Sequence, residues 1–198
     1  MHSTRNVAAV AVSALLLASL TGCFGGGTPG TDSASGGLNK TACVIAHTWH
    51  RDLDDAANQL GNQLESHGLN VTQSTGEGSE TFTFNESGHV DVHVDLTFTI
   101  SVRMEHGLTM TIVQTHSGEP SGEWAWIGNS HTVEFSNWDT GGYSIQNSVI
   151  INGVTSDAPI TIPSDELGQA HMRIACTATR LTTHSTGSPF TDHWTPAA

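Results

Sequence analysis

One stretch constrains this chain more than any other. Between Gly88 and Met104, apolar residues occupy every even position: Val90, Val92, Val94, Leu96, Phe98, Ile100, Val102 and Met104. The odd positions are polar: His89, Asp91, His93, Asp95, Thr97, Thr99, Ser101 and Arg103. Successive side chains of a strand point to opposite faces, so this pattern predicts one strand with a dry face and a wet face. At about 3.3 Å per residue it would run about 50 Å if straight. A domain of this size cannot hold so long a strand flat, so the sheet is expected to coil into a closed or nearly closed barrel.

The rest of the chain fits an all-β reading. Its 198 residues include 21 glycines, and turn residues recur about every eight to twelve positions, the spacing of a sandwich or barrel. Alternating segments surround the long strand: Thr81–Phe84, Leu108–Ile112, Glu123–Ile127, Thr132–Ser136 and Tyr143–Ile151. Asn152-Gly153 is a strong two-residue hairpin signal. It leads toward a strand near Ala158–Ile162, where Pro159 suggests an edge or bulge. Ser164–Leu167 suits one helical turn, and Ala170–Ala175, Arg180–Thr183 and Pro189–Trp194 complete the sheet. Near the start, Cys43–Trp49 reads as a first strand and Thr72–Ser79 as a polar connection. Between them, Leu53, Ala56, Ala57, Leu60 and Leu64 fall on one helical stripe, with Asp52 placed to cap it. This helix is expected to lie over a barrel mouth. The prediction is an antiparallel up-and-down barrel of about ten strands with one helix after the first strand.

Charge excludes some functions. The formal net charge is −13 and Lys40 is the single lysine. Binding nucleic acid needs clustered Lys and Arg to displace counterions from phosphates. A polybasic membrane patch is equally absent.

The N-terminus reads as an address. Met1–Asn6 is short and polar with Arg5, and Val7–Leu20 is an apolar run of signal-peptide length. It ends in Leu20-Thr21-Gly22-Cys23, which resembles the bacterial lipobox. That resemblance implies cleavage before Cys23 and attachment of a diacylglycerol to its thiol. Residues 1–22 are then a signal peptide, residues 23–37 a Gly/Ser leash, and residues 38–198 the barrel domain. The expected place is the outer face of a cell membrane, held by lipid. Outside the cytoplasm the two remaining cysteines, Cys43 and Cys176, are expected to pair. Their bridge would close a loop spanning most of the domain and set the first strand beside one of the last.

The pattern resembles the lipocalin and fatty-acid-binding (calycin) barrels, which open on Gly-x-Trp. Here His47-Thr48-Trp49 keeps the Trp and lacks the Gly. A helix straight after the first strand is nearer the fatty-acid-binding branch. The chain as a whole also resembles uncharacterised secreted lipoproteins of high-GC Gram-positive bacteria. The calycin likeness implies a cavity for a small apolar ligand. Candidate lining residues are Trp49, Phe82, Phe84, Phe98, Met110, Trp124, Trp126 and Phe135; the alternative is that they simply fill the barrel.

Twelve histidines stand out. His89 and His93 share a strand face with Asp91 and Asp95, but i and i+4 on a strand lie about 13 Å apart, too far to share one ion. His47 and His50 flank Trp49, and His131, His171, His184 and His193 are scattered. A haem barrel of the nitrobindin type also carries Gly-x-Trp and an axial His, a part His171 would play. The chain has no nucleophile elbow, P-loop, dinucleotide fingerprint, Cys-x-x-Cys pair or His-Glu-x-x-His. No cofactor, metal site or catalytic residue is assigned. The expectation is a non-enzymatic envelope lipoprotein binding a small apolar ligand in its barrel. A protein-interaction module with a filled core is the alternative, and a metal- or haem-binding barrel the third.

Overall fold

A computed structural model describes residues 39–156 and 171–197. After a short helix α1 (Lys40–Ile45) come β1 (Thr48–Arg51) and the longer helix α2 (Leu53–Ser66). Two 15-residue strands follow, β2 (Asn70–Phe84) and β3 (His89–Arg103). Then come β4 (Thr109–Gly118), β5 (Ser121–Trp126), β6 (Thr132–Asp139), β7 (Ser144–Ile151) and β8 (Val154–Ser156). β9 (His171–Thr177), β10 (Arg180–Ser185) and β11 (Asp192–Pro196) complete the sheet.

All strand pairings are antiparallel. Eight strands close a barrel in the order β2-β1-β11-β10-β9-β6-β5-β3, and the β2–β3 pairing shuts it. The predicted all-β barrel is therefore present. It is not a simple meander, because β3 has two neighbours on one side. Its first residues, His89–Asp91, pair with β5, while Val94–Arg103 pair with β4. From β4 the sheet runs on through β7 to β8, a three-strand wing outside the barrel.

The predicted alternation holds along β3. Every even residue from Val90 to Val102 is buried. The β7–β8 turn is Asn152-Gly153 with φ of 48° and 81°, the left-handed pair of a type I′ hairpin. In α2, Asp52 Oδ1 accepts from the Asp55 N–H at 3.0 Å, and Ala56, Ala57, Leu60 and Leu64 are buried as the stripe requires.

Three expectations need correction. Cys43 does not open a strand. Asn39 Oδ1 accepts from the Thr41 N–H at 3.1 Å and caps α1, so Cys43 sits on a helix and the first strand starts at Thr48. Thr72–Ser79 is not a connection but the first half of β2. Its Ser, Thr and Gly residues lack the large apolar face of a core strand because they are small enough to take a helix over them. A Cβ on Gly76 would lie 2.8 Å from the Leu53 carbonyl oxygen, and Ser74 Oγ donates to the Ala57 carbonyl at 2.6 Å. Thus α2 packs along β2 and reaches β11. Alternation puts Leu108, Met110 and Ile112 together on the dry face; Met110 and Ile112 do lie on the inner side, but Leu108 precedes β4 and is exposed. The strand expected at Ala158–Ile162 with Pro159, the turn at Ser164–Leu167, the signal segment and the leash lie outside the described residues.

Candidate functional site

Cys43 and Cys176 are bonded. The bridge joins α1 to β9, not strand to strand, because the chain is still helical at Cys43. Strand closure beside it is made by hydrogen bonding instead: β1 lies between β2 and β11. The loop closed by the disulfide spans 133 positions.

All eight candidate lining residues belong to one apolar core. Trp49, Phe82, Phe84, Phe98, Trp124 and Phe135 are buried in it, and Met110 and Trp126 pack against it half-buried. Several rings meet directly. Phe82 stacks on Trp194 at 4.6 Å between centroids, and Phe84 meets Trp124 edge-on at 5.3 Å. Trp124 in turn meets Trp126, and Phe135 meets Trp138. Three indoles are also fixed by hydrogen bonds, Trp126 among them, whose Nε1 donates to Thr41 Oγ1 at 2.9 Å. Trp49 Nε1 donates to the Val44 carbonyl at 2.8 Å, and Trp194 Nε1 donates to Thr183 Oγ1 at 2.9 Å. Buried indoles placed this way are rigid parts of a packed interior.

The inner face also carries charge, which the sequence reading missed. Arg51 Nη1 lies 2.7 Å from Glu80 Oε2, and Nη2 pairs with Asp192 Oδ1. Glu80 and Asp192 are both buried. Their inward phase was available. Glu80 alternates in step with Phe82 and Phe84, and Asp192 with Trp194. Buried charges need partners, and here one guanidinium serves two carboxylates.

His116 was missed in the same way, though it alternates in phase with Ile112. It is buried on β4, its ring edge-on to Phe98 at 5.9 Å. Nδ1 lies 2.7 Å from the Tyr143 hydroxyl, while Nε2 is buried with no hydrogen-bond partner. Burial first, and then the positive field of Arg51, lower its pKa from 6.5 to about 4. His116 is therefore neutral at physiological pH.

The other histidines stay apart. His89 Nε2 is 3.1 Å from Asp91, and His93 Nδ1 is 3.5 Å from Glu119, each on an exposed face. His47 sits edge-on to Trp49. His193 Nδ1 is 2.8 Å from Asp55 Oδ2, and His184 Nδ1 is 2.9 Å from the Phe190 carbonyl oxygen. His131 and His171, the residue considered for a haem, are exposed. Among the described residues no three His, Cys, Asp or Glu side chains are grouped to hold a metal ion.

One groove opens beside the charged cluster. Its volume is about 440 Å³, and it lies between the end of β1, the first turn of α2 and residues Gly76–Glu80 of β2. Its lining is mostly polar, with four acidic side chains, Asp52, Asp54, Glu77 and Glu80, beside one cation, Arg51, and one apolar side chain, Leu53.

Together these features define the class: a disulfide-pinned antiparallel β-barrel with an aromatic-rich interior and a polar groove at its edge. Comparison with protein-family models, with curated proteins and with solved structures gives no match. A β-barrel of this kind is compatible with a non-catalytic role. No helix among the described residues is long and apolar enough to cross a membrane.

Proposed function

We propose that this chain is a non-catalytic interaction module held on the outer face of a bacterial cell membrane by a lipid on Cys23. Its barrel is a rigid scaffold, and its binding surface lies outside the barrel interior. The observation that carries this reading is the contact of ring upon ring among Phe82, Trp194, Phe84, Trp124 and Trp126. Side chains that would line an apolar cavity spend their surface on one another. The lipobox resemblance at Leu20–Cys23 supports the anchor, and the disulfide suits an oxidising compartment.

Native mass spectrometry of the protein purified from its own host tests the interior. The expected mass is that of the lipidated chain alone. A stoichiometric apolar molecule that survives buffer exchange would overturn the filled-scaffold reading in favour of a small-ligand carrier. For the anchor, the parent chain is expected to incorporate labelled palmitate and Cys23→Ser to lose the label; label retained in the variant, or absent from the parent, would refute lipidation at that position.

A further inference from the structure

β2 is paired along only part of its length. On one side β3 follows it from Asn70 to Phe84. On the other, β1 covers only Thr81, Phe82 and Thr83, opposite His50, Trp49 and Thr48. Beyond Arg51 the chain leaves the sheet: Asp52 bonds to the carbonyl of His193 and caps α2. Among the described residues no strand takes the place of β1 beside Gly76–Ser79. In an antiparallel strand alternate residues turn their N–H and C=O to each side. Backbone groups of this segment therefore face away from β3, although Gly78, at φ 99°, interrupts the regular alternation.

That open edge forms a wall of the 440 Å³ groove, a volume within the range of about 300–1,000 Å³ usual for ligand sites. Two wall residues, Gly76 and Gly78, carry no side chain because their neighbours leave no room for one: a Cβ would lie 2.8 Å from the Leu53 carbonyl oxygen at Gly76 and closer still to the Asp95 carbonyl oxygen at Gly78. The charge around the edge is one-sided. Asp52, Asp54, Glu77 and Glu80 line it together with a single cation, Arg51, whose guanidinium is committed to Glu80 and Asp192.

We propose that this edge receives a short, extended, cationic peptide segment of a partner protein by strand addition. The guest continues the line of β1 along Gly76–Glu80. Backbone hydrogen bonds hold it, and its Lys or Arg side chains meet Asp52, Asp54 and Glu77. This deepens the interaction-module reading and rests on it by naming the site and the chemistry of the partner.

The test uses the full chain in a mild non-ionic detergent and the probe acetyl-Lys-Val-Lys-Val-Lys-amide. Amide hydrogen exchange is followed by NMR across residues 70–84. Saturating peptide is expected to slow the fast-exchanging amides within Gly76–Ser79 by about tenfold or more, while amides already bonded to β3 hold their rates. Two control peptides are N-methylated, one at its lysine amides and one at its valine amides. Only one of the two is expected to lose binding, because a guest strand presents a single edge. Asp54→Lys combined with Glu77→Lys should weaken the unmodified peptide by about tenfold, and acetyl-Glu-Val-Glu-Val-Glu-amide should not bind. Absent protection, equal binding by both N-methylated peptides, or equal binding by the glutamate peptide would each overturn the proposal. A failed peptide with a ligand-free native mass spectrum refutes the groove alone. A stoichiometric apolar ligand refutes the module reading whatever the peptide does.

Discussion

His116 gives the sharpest stability prediction. The perturbation is His116→Phe, which keeps a ring of similar size against Phe98 and removes the titrating group. Two effects oppose each other at pH 7. The bond to Tyr143 is lost, at a cost of about 1 kcal/mol, but the partnerless Nε2 no longer has to be buried, which recovers a similar amount. The variant should therefore lie within about 1 kcal/mol of the parent. The difference appears on acidification. A histidine with a pKa of about 4 in the fold and 6.5 when unfolded binds its proton in the unfolded chain first. Stability thus rises with pH between these values and is lost as pH falls from about 6.5 to 4. The gap is worth roughly 3 kcal/mol. Carboxylates titrate in the lower part of the same window, so the quantity to read is the difference between parent and variant. Urea unfolding followed by tryptophan fluorescence at half-unit steps from pH 7.5 to 4 supplies it. The parent should lose roughly 3 kcal/mol more than His116→Phe across the window. Parallel curves, or an NMR titration placing the His116 midpoint near 6.5, would refute the burial argument.

Replacing Cys43 and Cys176 together by Ala should lower stability by up to about 5 kcal/mol, since the bridge closes a loop of 133 positions; a loss under 1 kcal/mol in urea unfolding would mean that the barrel alone restrains the chain ends. Arg51→Met leaves Glu80 and Asp192 buried without their shared cation and should cost about 3–5 kcal/mol at pH 7. Adding Glu80→Gln and Asp192→Asn should return much of that loss, and no recovery would argue against a charge effect. Trp49→Phe takes the donor from the buried Val44 carbonyl and should cost about 1–3 kcal/mol, read as a shifted urea midpoint at constant slope. Gly153→Val forces a β-branched residue to φ 81° in the β7–β8 turn and should cost about 1–3 kcal/mol, whereas Asn152→Gly, which keeps the turn but loses the bond from the Thr109 N–H to Asn152 Oδ1, should cost about 1 kcal/mol or less.

The legible parts of the fold are those in which one face is wet and the other dry. β3 was readable because its alternation is unbroken over its full length, and α2 because Asp52 and the Leu53–Leu64 stripe agree on phase. The first half of β2 was not readable. Asn70–Ser79 is nearly all polar or small, since the face that would carry large apolar residues is covered by α2 through Gly76, Ser74 and Val71. Periodicity is blind where a strand packs small against a helix. The start of the domain misled for a different reason. Cys43, Val44 and Ile45 have the composition of a strand, but the Asn39 cap and the disulfide to β9 select a helical turn. At the candidate site the inward phase of Glu80, His116 and Asp192 was present in the sequence. Polar residues at core positions are usually discounted, and these became intelligible only when Arg51 and Tyr143 were seen to meet them.

The length of the β2–β3 hairpin explains why barrel, wing and groove occur together. A barrel strand needs only a few residues to span the wall, as β1, β5, β10 and β11 do with four to six. β2 and β3 each have fifteen, so about half of each projects beyond the barrel and must be covered separately. On the β3 side the wing supplies that cover, with β4 pairing along Val94–Arg103. On the inner face α2 supplies it. On the β2 side β1 ends too soon, because the chain turns into α2 at Asp52 to provide the helical cover. The same turn that buries the inner face thus leaves the outer edge of β2 open. Lengthening β1 to close that edge would move the start of α2 and unpack Leu53 from Gly76. The open edge is a geometric consequence of the cover, and an edge left open by necessity is where a second chain gains most from adding a strand.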